Sequence, residues 1–182
     1  MSTQPFILGL LGRSLSGKST AADYYRDQHG FTVVNFADPL KDVLKHVLGL
    51  TEAQVRGDQK DVVDSRYGVT SRDLMIRLGH GGREILWQDI WVEACFHRIE
   101  RLLNADPSRR LFVIGDVRYA SECHAIYECG GAVVKLTRRT TNIFTEASVD
   151  DVPADIIWKT IDNGTMTVDD LKAALDALPR PW

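Results

Sequence analysis

The sequence predicts an α/β fold: a parallel sheet of about five strands with helices on both faces. Three observations carry this. Apolar runs of strand length alternate along the chain with segments of helical periodicity. The runs are continuous rather than alternating apolar and polar, as in strands buried on both faces. A glycine-rich loop, Gly12 to Ser19, stands between the first apolar run and the first helical pattern. Strands of this kind linked through helices imply right-handed crossovers in a three-layer domain.

The elements follow in order. Phe6 to Leu11 (FILGLL) is the first strand, and a helical pattern runs from about Lys18 to His29, ended by Gly30. Thr32 to Phe36 (TVVNF) is β-branched and apolar, so a second strand. Asp38-Pro39 opens a helix, with Asp38 as N-cap and Pro39 at the first helical position. Leu40, Val43, Leu44, Val47 and Leu48 form its buried face. Gly49 to Val69 is polar and carries no clear period. Thr70-Ser71 caps a helix with Leu74, Met75 and Leu78 on its apolar face, and Gly79 to Gly82 breaks it. A longer helix spans about Asp89 to Asn104. Leu111 to Ile114 and Ala132 to Leu136 are the third and fourth strands, separated by a helix around Ala120 to Cys129. Asp155 to Ile161 is a short fifth strand, and Val168 to Leu178 a closing amphipathic helix.

Composition sets outer bounds. The 182 residues suffice for one domain with a full core and are too few for two ordinary ones. No apolar run approaches the roughly 20 residues of a membrane span, and Met1 to Pro5 lacks the basic start of a secretion signal. The three cysteines, Cys95, Cys123 and Cys129, form no CxxC pair, which fits a reducing cytoplasm. A net charge of −3 argues against a broad nucleic-acid-binding face, while the local arginine clusters suit a small anionic ligand.

Gly12-Arg13-Ser14-Leu15-Ser16-Gly17-Lys18-Ser19 matches the phosphate-binding loop G-x-x-x-x-G-K-[ST] in full, and Thr20 follows it. The glycines let backbone N–H groups close on phosphate oxygens, and the N-terminus of the next helix adds partial positive charge. Lys18 is placed to reach the β- and γ-phosphates of ATP, and Ser19 to offer its hydroxyl to Mg²⁺. The GTPase signature NKxD is absent and no long second domain is present for mechanical work, so the loop points to a small kinase.

At this point the chain resembles the phage-type deoxynucleoside monophosphate kinases. The matching pieces occur in order: GRSLSGKST, FADPLKDVL, VTSRDLMIRLGHGGREILWQDIWVEA, VIGDVRYASE, GGAVVKLTRR and DNGTMTVDDL. Where that family often has His-x-Ser-Glu in its lid, the chain reads Ile143-Phe144-Thr145-Glu146. The resemblance implies a strand order 2-3-1-4-5 in a single domain over 1–182, an acceptor-binding helical region at about 38–104, and a lid at about 138–154. It also implies ATP and Mg²⁺ as cofactors, a deoxynucleoside monophosphate as acceptor, and a homodimer.

Several charged residues then acquire candidate roles. Asp116 and Arg118 lie just beyond the third strand, where open α/β sheets place ligand groups. Asp116 is a candidate for holding Mg²⁺ through water, and Arg118 for bridging the reacting phosphates. Glu122 is a candidate for orienting Arg118 or touching the acceptor; the alternative is that Asp116 caps the helix and the other two form a surface pair. Arg138-Arg139 open the lid and suit the charge of a transferring phosphoryl group. Arg72 and Arg83 are candidates for the acceptor phosphate, Arg77 for an exposed position. Asp38 is either a helix cap or the base for a hydroxyl acceptor, and Lys41 either a ligand or a solvated residue. Phe36, Tyr67, Trp87 and Trp91 are the aromatics placed to stack on a base, with Trp91 better suited to the core. A kinase for a hydroxyl group or another phosphate ester (dephospho-coenzyme A, phosphomevalonate, a hydroxymethyl base) and a non-catalytic nucleotide-binding protein are the rival readings.

Overall fold

Buried apolar runs and the glycines that punctuate them set the order of elements. The computed structural model describes residues 4–138, 149–180 and 182. It begins with β1 (Phe6–Leu11), α1 (Lys18–His29), β2 (Thr32–Val34), α2 (Asp38–His46) and α3 (Glu52–Val55). A small hairpin follows, β3 (Val63–Asp64) and β4 (Val69–Thr70), leading into α4 (Ser71–Gly81), a π-helical turn (Gly82–Leu86) and α5 (Ile90–Ala105). The chain continues through β5 (Leu111–Val117), α6 (Ala120–Glu128), β6 (Ala132–Thr137), β7 (Lys159–Asp162) and α7 (Val168–Asp176). Among the described residues no helix is long and apolar enough to cross a membrane.

The chain divides into two compact units, Met1–Asn35 with Ile99–Trp182, and Phe36–Arg98. The first holds a five-stranded sheet in the order β2-β5-β1-β6-β7, parallel throughout. Counting only its own strands, that is the expected 2-3-1-4-5. Leu8, Leu10, Val113, Val134, Leu136 and Ile161 project to one face and pack with Ala21, Ala22 and Tyr25 of α1 and Leu171 and Leu175 of α7. Each large side chain buried there contributes roughly 1.5–3 kcal/mol. The other face receives α6 so closely that a Cβ on Gly9 would lie 2.6 Å from Ile126. Helices therefore cover both faces.

The second unit is built on Leu40, Leu44, Leu50, Val55 and Trp91, with Leu74, Met75 and Leu78 packed against them. Four expectations change here. Asp38 is not the N-cap of α2: Ala37 is, and Asp38 lies inside the first turn. The face of α2 is narrower than its pattern, since Val43 and Val47 are exposed. The unassigned stretch 49–69 contains α3 and the β3–β4 hairpin. Gly79 to Gly82 do not break α4, because the helix continues to Gly81 and passes into the π-helical turn. Gly82 makes room for Trp91. Its indole Nε1–H donates to the Gly79 carbonyl at 3.0 Å, and a Cβ on Gly82 would come within 2.7 Å of its ring. Trp91 is a core residue, as its pattern indicated. The cap at Thr70 holds: its hydroxyl accepts from the Asp73 N–H at 3.1 Å while the Asp73 carboxylate accepts from the Thr70 N–H.

Candidate active site

The loop after β1 closes on itself. Lys18, the first residue of α1, is buried, and its ammonium donates to the carbonyls of Gly12 and, at 2.7 Å, of Arg13. Gly17 caps the helix at φ 103°, a conformation that side chains resist. Gly12 has no room for a Cβ, which would stand 2.5 Å from both the Leu136 carbonyl and the Ser16 hydroxyl. The Ser16 hydroxyl is itself buried without a hydrogen-bond partner among the described residues. A tight ring of backbone with a lysine drawn into it and a helix N-terminus behind it fits the phosphates of a nucleotide. Arg13, Leu15 and Ser19 are exposed on the rim, Ser14 and Thr20 half-buried.

Asp116 lies within β5 rather than beyond it. The register there slips: Gly9 pairs with Ile114, but Leu11 pairs with Val117. Gly115 and Asp116 thus occupy the length that Leu10 alone fills on β1, a β-bulge. The slip swaps faces. Val113 packs among the α1 residues, while Val117 approaches Gly9 on the α6 side. A Cβ on Gly115 would touch the Cβ of Ala22 in α1 at 3.3 Å. A bulge re-aims a side chain and ends regular pairing, and here it does so at the one carboxylate of the strand. Asp116 does not cap α6; Tyr119 holds that position.

Arg118 follows, half-buried. Glu122 is 2% exposed, and its Oε2 accepts the backbone N–H groups of Arg118 at 2.7 Å and of Tyr119 at 3.1 Å. The turn that carries Arg118 is therefore anchored from the first turn of α6.

A second group of charges lies in the unit Phe36–Arg98. Asp38 is buried, and it accepts from Arg56 at 2.8 Å with Lys41 at 3.8 Å. Arg72 is exposed and pairs with Asp61, Nη2 donating at 3.0 Å, and Arg77 is exposed as expected. The backbone N–H of Arg72 donates to the carbonyl of Lys60 at 3.1 Å. Burial lowers the Lys60 ammonium from its ordinary pKa, and the nearby cations Lys41, Arg72 and Arg56 lower it further. Arg83 is half-buried on the π-helical turn. Tyr67 serves the hairpin, its hydroxyl donating to the Leu48 carbonyl at 2.7 Å. Phe36 is buried, Trp87 exposed. Arg56 and Lys60 were not among the sequence candidates; a basic residue in a stretch without periodicity gives no signal of its partner.

Arg138 is exposed at the end of β6 and lines a cleft of about 600 Å³ with Arg13, Lys135, Thr137, Asp150 and Asp162. Arg13 is ion-paired with Asp150 across it. Arg139 and Ile143 to Glu146 lie outside the described residues.

A parallel sheet in this order, with the phosphate-binding loop at the end of β1, defines a P-loop kinase fold. Solved structures agree on the fold: "a putative kinase from chloroflexus aurantiacus" (TM-score 0.50, 10% identity, covering 95% of this chain and 97% of that one) and the dephospho-CoA kinase from Campylobacter jejuni (TM-score 0.50, 13% identity, 96% of each chain). No family model matches the chain. A protein of Acanthamoeba polyphaga mimivirus described as "Putative deoxynucleotide monophosphate kinase" is 34% identical over 142 residues, 72% of this chain and 74% of that protein. The chain belongs to the deoxynucleotide monophosphate kinase family.

Proposed function

We propose that the chain transfers the γ-phosphoryl group of ATP to a deoxynucleoside monophosphate, giving ADP and the diphosphate. The observation that carries this is the closed loop around Lys18, in a chain whose mimivirus relative bears the name of such a kinase. An oxygen of the acceptor phosphate forms the new bond to the γ-phosphorus as the bond to the β–γ bridging oxygen breaks. That oxygen is already ionised at neutral pH, so the reaction needs no general base; positioning and charge stabilisation carry it.

Lys18 offsets charge on the β- and γ-phosphates, and the N–H groups of the loop 12–20 hold the rest. Ser19 and Asp116 would hold Mg²⁺, which when bound neutralises charge shared by the β- and γ-oxygens. Ser19, exposed on the rim of the loop, and Asp116, half-buried on the bulge of β5, are oxygen donors of the kind that suit a hard cation which keeps most of its waters. Arg118, Arg138 and Arg139 serve the transferring group, the last two from a lid over about 138–154. Arg72 and Arg83, with Asp38 and Lys41, serve the acceptor in the region of about 38–104, and Glu122 holds Arg118 in place. The paired state of Asp38 favours a structural role over that of a base. Cytoplasmic location and a homodimer, which light scattering tests, belong to the same reading.

ADP release measured with each of the four common deoxynucleoside monophosphates tests the proposal. Deoxynucleosides, dephospho-coenzyme A and hydroxymethylated DNA serve as contrasting acceptors. Turnover is expected with at least one monophosphate and with no deoxynucleoside. Turnover confined to a hydroxyl acceptor would overturn it.

A further inference from the structure

We infer that Asn163 is a positioning residue for the phosphate-binding loop, one that fixes which way the Ser16–Gly17 peptide faces. The inference rests on the proposed nucleotide site. Asn163 follows β7, is 3% exposed, and donates from Nδ2 to the Ser16 carbonyl at 2.9 Å. It is itself held, because its backbone N–H donates to the Thr137 carbonyl at 2.7 Å. Its carboxamide presses against the loop so closely that a Cβ on Gly17 would lie 2.5 Å from Nδ2.

The geometry of the peptide unit turns this contact into a functional one. In a trans peptide the C=O and the following N–H point in opposite directions. Holding the Ser16 carbonyl against Asn163 therefore turns the Gly17 N–H the other way, toward the inside of the loop. Glycine tolerates either sign of φ, so Gly17 alone does not prevent that peptide from rotating. Rotation would bring a carbonyl oxygen to face phosphate oxygens in place of an N–H. It would also leave the buried Asn163 donor and the Ser16 acceptor without each other, which is unfavourable in a dry site. Asn163 thus supplies from behind the loop the rigidity that the glycine lacks. An aspartate of the same shape has no hydrogen to give and would repel the carbonyl.

The test compares ATP and adenosine binding, by calorimetry, in the full chain and in Asn163→Asp, Asn163→Ala and Lys18→Ala. Both Asn163 variants are expected to weaken ATP binding by about tenfold or more while adenosine, which has no phosphate, binds as to the parent. In amide spectra, the shift of the Gly17 N–H on adding ATP should shrink in the same variants. If Asn163→Asp does not fold, Asn163→Ala, which removes the donor without adding charge, carries the same expectation. Unchanged ATP affinity in a folded Asn163 variant, with Lys18→Ala impaired, overturns the inference alone. Equal losses for ATP and adenosine also overturn it, since they mark general damage. If Lys18→Ala binds ATP as well as the parent, the nucleotide site itself is wrong and the inference falls with it.

Discussion

The phosphate-binding loop of the sheet unit and the charged cluster of the helical unit around α2 to α4 hold their charges in different ways. In the first, the key cation is drawn into backbone: Lys18 is buried and donates to the carbonyls of Gly12 and Arg13. In the second, the charges bond to one another: Asp38 with Arg56, Asp61 with Arg72, Asp64 with Arg66. A backbone cradle held by hydrogen bonds to its own carbonyls is in place before any ligand arrives, so its chemistry is preorganised. Ion pairs among side chains are exchangeable, and a phosphate can take the place of a carboxylate on an arginine. The nucleotide end is therefore expected to respond to mutation sharply, and the acceptor end gradually.

The largest expected effect is that of Lys18→Ala, which should lower turnover by roughly 10²-fold or more while the protein stays folded. Steady-state kinetics and circular dichroism on the same preparation measure it. A folded variant within a few-fold of the parent would abolish the contrast at its strong end.

Next come Arg138→Ala and Arg139→Ala. Arginines of a lid act when it closes, so kcat should fall about tenfold or more. ATP affinity without acceptor should change little. One of the two should dominate. If both variants keep near-normal kcat, the charge at the transferred group must come from Arg118 and Lys18.

Arg72→Ala and Arg83→Ala probe the gradual end. Each should raise KM for the monophosphate by roughly tenfold, with a smaller change in kcat, because under the proposed reading they grip oxygens of the acceptor phosphate in the ground state as well as during transfer. Loss of kcat with unchanged KM would move the acceptor phosphate elsewhere.

The same contrast explains how much was legible in the sequence. The strands and the loop could be read because a strand buried on both faces is a continuous apolar run and the loop is spelled by its glycines. The bulge at Asp116 could not, since its signal is a slip between two strands, not a residue type. Asn163 was invisible as an anchor for a similar reason: its partner is a carbonyl, which every residue has. In the helical unit, glycine was misread. Gly82 looks like a breaker but stands where Trp91 needs the space. Gly82→Ala should therefore destabilise by about 1–3 kcal/mol through overpacking, although alanine is the better helix former. Urea unfolding decides it; a stabilised variant would restore the reading of that glycine as a turn.

The smallest effect expected is on the pH dependence of stability, at the hairpin. Asp64 is buried, and its carboxylate accepts from Arg66 Nε at 2.9 Å, Nη2 at 2.6 Å and the backbone N–H at 2.9 Å, and from Gln54 Nε2 at 2.9 Å. The Arg66 side chain foremost, then its N–H and Gln54, hold this carboxyl well below the usual carboxylate range. The folded chain thus gives up the proton more readily than the unfolded chain, where an aspartate titrates near pH 3.9, to a rough value. On acidification the unfolded state takes up its proton first. The contribution of Asp64 is accordingly complete above about pH 5 and fades as pH falls through about 4 toward the folded pKa. Asp64→Asn should lower the urea midpoint at neutral pH, and the gap to the parent should narrow by about pH 3. No change in kcat at neutral pH is expected, because the pair lies among side chains assigned no part in transfer. A gap that does not vary with pH would mean that Asn replaces the carboxylate poorly for reasons of shape. The ion pairs of this unit would then be packing elements rather than exchangeable charge.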